Sequence, residues 1–441
     1  MRGTILRAIP VVAAAIAAPS HAVARTQEVR VVATAAQLLE LADRLERARQ
    51  LSKVGIILAA LAADPNADIR NEARFRQAKL LAADGQTSRA ALLLRQILDE
   101  RPGATPVRLE LAQLLDKMGD KEGAWRQMRA IHASGLPPAV ARLIDRYSQA
   151  LRAQRPFGAS FEIALAPDTN INRATRSDTL GTVIGDFEIA PDARAKSGTG
   201  LSVNAQAYRR LGLGNNLALL ARVTAFANLY RQQAFNDIAA DVAIGPEFNL
   251  GRDRLQAEIG ATQRWFGQKP FLRSGRIAAT FSHPLSGRTL LRLSGSAALI
   301  DNQRNNLQDG RTYSGQVAIE HALTATLGLT GSVALDRQNA RDGAYSTTGW
   351  RSAIGLWRDL GRITLTAGVE LGRLHADDRL ALLPNRREDR FSRLSLGATF
   401  RQLQFQGFAP VLRFSIERNR SSVEFYDYRR TRTEMGIVRA F

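Results

Sequence analysis

From about Phe157 to Phe441 the chain reads as a succession of short segments in which every second residue is apolar. Leu217, Leu219, Ala221, Val223, Ala225, Ala227 and Leu229 form one series, with Arg222, Thr224 and Asn228 between them. Ile363, Leu365, Ala367, Val369 and Leu371 form another, and Leu394, Leu396, Ala398 and Phe400 a third. A period of two puts one class of side chain on each face of a strand. Sustained over that length, it requires either a very large buried face or lipid on one side and water on the other. A transmembrane barrel supplies the second; a large secreted β protein would have to supply the first.

The connections favour the barrel. About fourteen such segments occur, an even number, as single-chain outer-membrane barrels have. Gly212–Asn216, Gly251–Asp253, Leu285–Gly287, Ala322–Ala325 and Asp359–Gly361 are short. Between them fall longer polar stretches: Pro167–Ser197, Arg231–Asp237, Asp301–Thr312, Arg337–Ser346, His375–Asp389 and Asn419–Tyr428. Long loops on one rim and tight turns on the other are expected of an outer-membrane barrel. The chain stops at an aromatic, Phe441, after Thr433, Met435 and Ile437 on its parity. That ending is similar to the signal read by the barrel-assembly machinery, although Arg439 stands where an apolar residue is usual.

Composition agrees. A chain of 441 residues has room for two domains. Beyond the N-terminus no stretch approaches the roughly 20 apolar residues of a membrane helix. Mean hydropathy is −0.18, as expected where lumen and loop residues dilute those facing lipid. The absence of cysteine removes disulfides, thiolate metal sites and a lipidated N-terminal Cys. The formal charge of +20 would suit a nucleic-acid binder. In a barrel it is better explained by a basic lumen and by loops facing anionic lipopolysaccharide, with no nucleic-acid partner.

Met1–Ala24 reads as a secretory signal: Arg2 and Arg7, the apolar stretch Ile9–Ala18, then small residues at Ser20–Ala24. Residues 25–152 change to a helical period, with Leu38, Leu41, Leu45 and Ala48 on one face. Ala78, Gly85 and Ala90 recur 34 positions later as Ala112, Gly119 and Ala124, the tetratricopeptide period. The alanines are expected where paired helices cross, the glycines in the turns, and Pro102 and Pro137 close the units. The usual large aromatics are missing, so a generic helical bundle stays open, and the segment before Pro65 fits the register poorly. Stacked repeats present a concave surface suited to peptides or proteins.

The junction and the end of the chain carry a resemblance. Ala166-Pro167-Asp168-Thr169-Asn170-Ile171-Asn172, following a first strand at Phe161–Leu165, resembles the barrel opening of the surface lipoprotein assembly modifier (Slam) family. The segment from Tyr428 to Gly436, running on to Phe441, is similar to that family's last strand. The resemblance marks Pro167, Asp168, Asn170 and Asn172 as a family-like junction motif. It implies periplasmic tetratricopeptide-like helices (25–152) followed by a fourteen-stranded outer-membrane barrel (157–441). It also implies a client lipoprotein or small haem-acquisition-type secreted protein delivered to the surface, held directly or with a periplasmic chaperone. It implies no cofactor and no catalytic residue.

No enzyme site emerges from the residues themselves. A barrel hydrolase needs a serine–histidine or aspartate–histidine group. His21 lies in the signal, while His132, His283, His321 and His375 are accompanied by no G-x-S-x-G. Asp377-Asp378 and Asp168 lack metal-ligand spacing. Two readings remain: a protein translocator, or a diffusion channel or polysaccharide export duct.

Overall fold

The structure, a computed structural model, describes residues 33–118, 120–133, 157–361, 363–400, 403 and 408–439. The signal segment, Gly119, Pro137 and Phe441 lie outside these residues. Among the described residues six helices come first: α1 (Ala35–Arg47), α2 (Leu51–Leu61), α3 (Ala67–Ala83), α4 (Thr87–Glu100), α5 (Thr105–Met118) and α6 (Lys121–Ala133). The chain then divides into two compact units at Glu100, so that α1–α4 form one and α5, α6 and the strands the other.

In the first unit Thr34 opens α1 with a reciprocal capping box, its hydroxyl accepting from the Gln37 N–H. The Asn66 side chain caps α3 by accepting from the Asp68 N–H. Ala42, Val54, Leu58, Leu61 and Ala73 bury together. The segment before Pro65, which fits the 34-residue register poorly, therefore still forms a helical pair with its own core. Ala78 and Ala90 are fully buried, consistent with close helix approach. Gly85 joins α3 to α4 at φ +78°, a left-handed position that a side chain enters at a cost. Arg70 and Arg74 converge on Glu100, whose pKa they hold at about 2, the Arg70 hydrogen bond being the largest cause.

In the second unit α5 and α6 repeat the hairpin, with Leu111, Ala112, Leu115, Ala124, Met128 and Ile131 buried. The strands follow: β1 (Phe157–Asp168), β2 (Thr179–Thr182), β3 (Gly185–Glu188), β4 (Gly198–Gly212), β5 (Leu217–Tyr230), β6 (Asp237–Leu250), β7 (Asp253–Phe266) and β8 (Lys269–Pro284). Then come β9 (Thr289–Asn302), β10 (Gly310–Ala322), β11 (Leu327–Ala340), β12 (Thr347–Asp359), β13 (Ile363–Ala376), β14 (Glu388–Phe400), β15 (Phe408–Ser421) and β16 (Tyr428–Arg439). All except β2 and β3 close into one antiparallel barrel of fourteen strands, each beside its neighbour in sequence and β1 beside β16. The barrel strands run to 12–16 residues, longer than the roughly 9–11 needed to span a bilayer core.

Continuous register fixes the faces. Val223, Leu365, Val369, Ile277 and Leu335 point outward and are 41–64% exposed, which in a membrane is lipid contact. Arg222, Glu370, Arg413 and Glu417, one residue out of phase with these series, point inward and pair with one another's neighbours. The expected assignment of both faces is what the register shows.

Three details differ from the sequence reading. β1 runs on to Asp168, so the junction motif begins inside the strand rather than after it. The long first loop carries its own hairpin, β2–β3, and the Val183 N–H donates to Leu382 O in the β13–β14 loop at 3.0 Å. On the loop rim the β7–β8 connection is only Gly267-Gln268, with φ of +55° and +64°. A two-residue turn with both φ positive matches strand twist and needs no loop, so the rule of alternating lengths fails there.

Candidate functional site in the lumen and strand seam

The inward register is densely ionic. Leaving aside the bulged tip of the β7–β8 hairpin, it carries Arg210, Arg222, Arg254, Arg264, Arg276, Arg292, Arg351, Arg393, Arg413, Arg430 and Arg432. Facing them are Glu162, Asp168, Asp237, Asp241, Glu247, Glu258, Glu320, Asp336, Asp359, Glu370, Asp389, Glu417 and Glu434. Eleven arginines against thirteen carboxylates make a near-balanced lumen, so the expectation of a basic lumen is corrected. The physical reason is burial: a guanidinium turned into a narrow, partly dehydrated space is stable only beside a carboxylate.

These charges are unevenly placed. From β13 round through the seam to β8 they form chains of ion pairs. Arg393 bridges Glu370 at 3.0 Å and Glu417 at 2.8 Å. Arg413 joins Glu162 and, at 3.7 Å, Glu434. Arg276 joins Asp241 and Glu258, and Arg210 reaches Glu247 at 3.0 Å. On β9–β11 inward charges are confined to Arg292, Glu320 and Asp336, and the inward positions between them are Ser294, Ser296, Ser314, Gln316, Ser332 and Ala334, which line much of an open cavity of about 570 Å³. One wall is filled by long side chains and the other left smooth.

The seam between β1 and β16 is built differently from the other strand pairs. Backbone partners run Glu162↔Val438 to Leu165↔Met435, stop at Ala166 and Pro167, and resume once at Asp168↔Arg432. Pro167 has no N–H to give to a ladder. Side chains close the gap. The buried Asp168 carboxylate accepts from Arg430 Nε at 2.9 Å and lies 3.8 Å from Arg432. The Thr169 N–H donates to Thr431 O at 3.0 Å, and the Thr431 N–H to Thr169 Oγ1 at 2.9 Å. Asn170 Nδ2 donates to Arg429 O and Ala174 O, and Asn172 Nδ2 donates to Arg194 O. The junction motif thus gathers into one latch that ties the last strand to the first loop. The sequence marked these residues without showing Asp168's partners, Arg430 and Arg432, which stand some 260 residues downstream.

At the turn rim the α5–α6 hairpin reaches the inner wall. Arg129 of α6 pairs with inward-facing Glu320 of β10, two residues from the strand's end. Arg108 of α5 donates to Gln127 Oε1 at 2.6 Å and to Pro102 O at 2.8 Å. Burial lowers its pKa to about 10, while the Asp359 carboxylate acts the other way. Among the described residues no cluster of three or more metal-ligating side chains occurs. His283 sits 2.6 Å from Asp253, His375 3.8 Å from Glu388, and His321 Nδ1 2.8 Å from Thr289 Oγ1. Of the repeat residues, Ala112 and Ala124 are buried in this hairpin.

Known proteins resemble this chain along most of its length. The surface lipoprotein assembly modifier family matches residues 158–441, and a tetratricopeptide repeat family matches residues 81–147. Surface lipoprotein assembly modifier 1 of Neisseria meningitidis is 22% identical over 378 residues, which is 84% of this chain and 76% of that protein. The surface lipoprotein assembly modifier of Moraxella catarrhalis is 22% identical over 85% of this chain and 74% of its own. That of Haemophilus influenzae is 20% identical over 82% and 76%.

Proposed function

The chain belongs to the surface lipoprotein assembly modifier family, and we propose that it is an outer-membrane translocator whose periplasmic helices recruit a client for the barrel to deliver. The barrel lies in the outer membrane, with the turn rim and the helices on the periplasmic side and the loops outside. The client is a surface lipoprotein or a small secreted protein of the haem-acquisition type, arriving directly or with a periplasmic chaperone. The observation that carries this reading is the Arg129–Glu320 pair, which ties a repeat helix to the inner wall at the periplasmic mouth.

A folded domain is comparable in size to a fourteen-stranded lumen that side chains already half fill, so an unfolded passenger is the one the geometry favours. The near-balanced lumen holds a passing chain of either charge only weakly. Folding of the client outside, or its pairing with the barrel, supplies the driving force. Phe441 and the strand before it serve as the signal for the barrel-assembly machinery.

Deleting residues 27–151 tests the recruitment role. The barrel is expected to insert, seen as heat-modifiable migration, while a genetically linked client fails to reach the surface of intact cells. Normal surface display after that deletion would defeat the reading. The smooth wall of β9–β11 favours a second reading, a diffusion channel or polysaccharide duct. Solute entry set by this protein, with no client depending on it, would select that reading.

A further inference from the structure

Part of the charge that the lumen does not hold gathers outside, on the loop side of four neighbouring strands. On β13–β16 the outward residues next above the membrane-facing run, on the loop side, include Arg373, Arg390, Arg418, Arg420 and Arg429. At the turn ends of the same strands the outward residues are Leu365, Phe400, Leu412 and Ile437. On β13, β14 and β15 the arginine lies on the loop side of the strand's own apolar stretch: Val369 and Leu371 precede Arg373, Leu394 follows Arg390, and Ile416 precedes Arg418. Strand tilt therefore does not scatter them in depth.

Register brings like charges face to face. Arg373 is opposite Arg390, Arg390 is opposite Arg420, and Arg418 is opposite Arg429. Trp350 stands opposite Arg373 on the other side, an amphipathic ring of the kind that marks the headgroup level. Arg418 is neutralised by Asp427 at 2.8 Å. Arg373, Arg390, Arg420 and Arg429 are exposed, and among the described residues none of them has an ion-pair partner. Directly opposed like charges destabilise a sheet, so three abreast call for an anion from outside the chain.

We propose that this row binds the phosphates of the phosphorylated glycolipid, lipopolysaccharide, in the outer leaflet. The guanidinium fork takes phosphate oxygens in pairs. Neighbouring strands lie about 4.8 Å apart, so the row spans two strand spacings and suits a headgroup that carries more than one phosphate. The apolar surface directly below takes the acyl chains of the same molecule, which a free phosphate lacks. At the turn rim, facing the inner leaflet, the outward Arg209 of β4 and Arg358 of β12 stand on separate strands opposite apolar residues and, among the described residues, make no such row. This inference requires the outer-membrane location alone and stands or falls apart from the translocation role.

The test uses the purified full chain in detergent, titrated with diphosphoryl lipid A and read by native mass spectrometry. The variant Arg373→Gln/Arg390→Gln/Arg420→Gln should bind about tenfold more weakly, and Arg→Lys at the three positions, which keeps the charge but not the fork, should restore only part of the loss. The wild-type affinity should also fall as salt rises. Heat-modifiable migration checks that each barrel is folded, and Arg390→Gln alone serves if the triple variant is not. Undiminished binding by the folded glutamine variant would overturn the proposal. So would equal affinity for phosphatidylglycerol, or complete competition by millimolar inorganic phosphate, since either removes the glycolipid as the ligand.

Discussion

Two walls of one lumen obey the same inward-outward alternation yet differ in what the inward positions hold. From β13 through the seam to β8 they hold arginines and carboxylates in chains; on β9–β11 they hold mainly serine, alanine and threonine, with Arg292, Glu320 and Asp336 set apart. Long paired side chains fill space, fix rotamers and tie strands that are distant in sequence, as Arg413 on β15 does with Glu162 on β1. Short side chains leave room for a passenger and add little to closure. Tight pairing and open room thereby fall on opposite sides of the same cylinder. The weakest backbone ladder, between β1 and β16, lies within the charged side, where Asp168 and its arginines replace missing hydrogen bonds.

The largest expected effect comes from removing the seam's buried carboxylate. Asp168→Ala takes from buried Arg430 its closest carboxylate and leaves it only Glu417 at 3.5 Å, at a cost of about 3–5 kcal/mol. Ser314→Ala on the smooth wall should stay within about 0.5 kcal/mol. The temperature at which each purified barrel loses its compact, heat-modifiable form measures both; equal shifts would erase the distinction between the walls.

Filling the smooth wall should do the converse. Ser296→Trp with Ser332→Trp is expected to leave that transition temperature almost unchanged while lowering client display several-fold. A block of display from Trp at lipid-facing Leu335 of equal size would show that room in the lumen is not what matters.

The seam can be held shut without altering either wall. The chain has no cysteine, so Leu165→Cys with Met435→Cys, directly opposed across β1 and β16, gives a single site for oxidation. Passage through the lumen predicts unchanged client display after cross-linking. Loss of display that reductant restores would move the route to the seam and make the charged wall a gate.

The smallest effect belongs to a carboxylate outside the barrel. Glu100 has its pKa lowered to about 2 by Arg70, Arg74 and Asn71. A depressed carboxylate contributes stability that is present above its ordinary pKa and lost as pH falls through the folded one. The first helical unit should therefore lose this contribution between about pH 4.5 and pH 2. The Glu100→Gln variant should flatten that part of an acid titration followed by circular dichroism. An unchanged acid limb would show that these half-exposed pairs add nothing.

Much of the architecture was legible because alternation is a local property. Leu365 against Thr366, or Val223 against Arg222, declares which face each side chain takes, and that survives without knowing any neighbour. The 34-residue recurrence of Ala78 and Ala90 at Ala112 and Ala124 is local in the same sense, since each unit packs against itself first. The latch was half legible: Asp168, Asn170 and Asn172 stood out as a motif. Arg430 and Glu417 did not, because closing a barrel brings its two ends together across the whole chain.

What the sequence determined by itself was therefore the class of object: period-two strands in even number, tight turns against longer loops, helices before them, a net positive charge. Where that charge went was decided only by tertiary structure. Composition sums arginines wherever they lie, and it suggested a basic lumen. Register sorts them, sending inward the ones that find a carboxylate and leaving Arg373, Arg390 and Arg420 side by side on the outer face. A strand's parity fixes which way a residue points, but only the closed sheet fixes what it meets there.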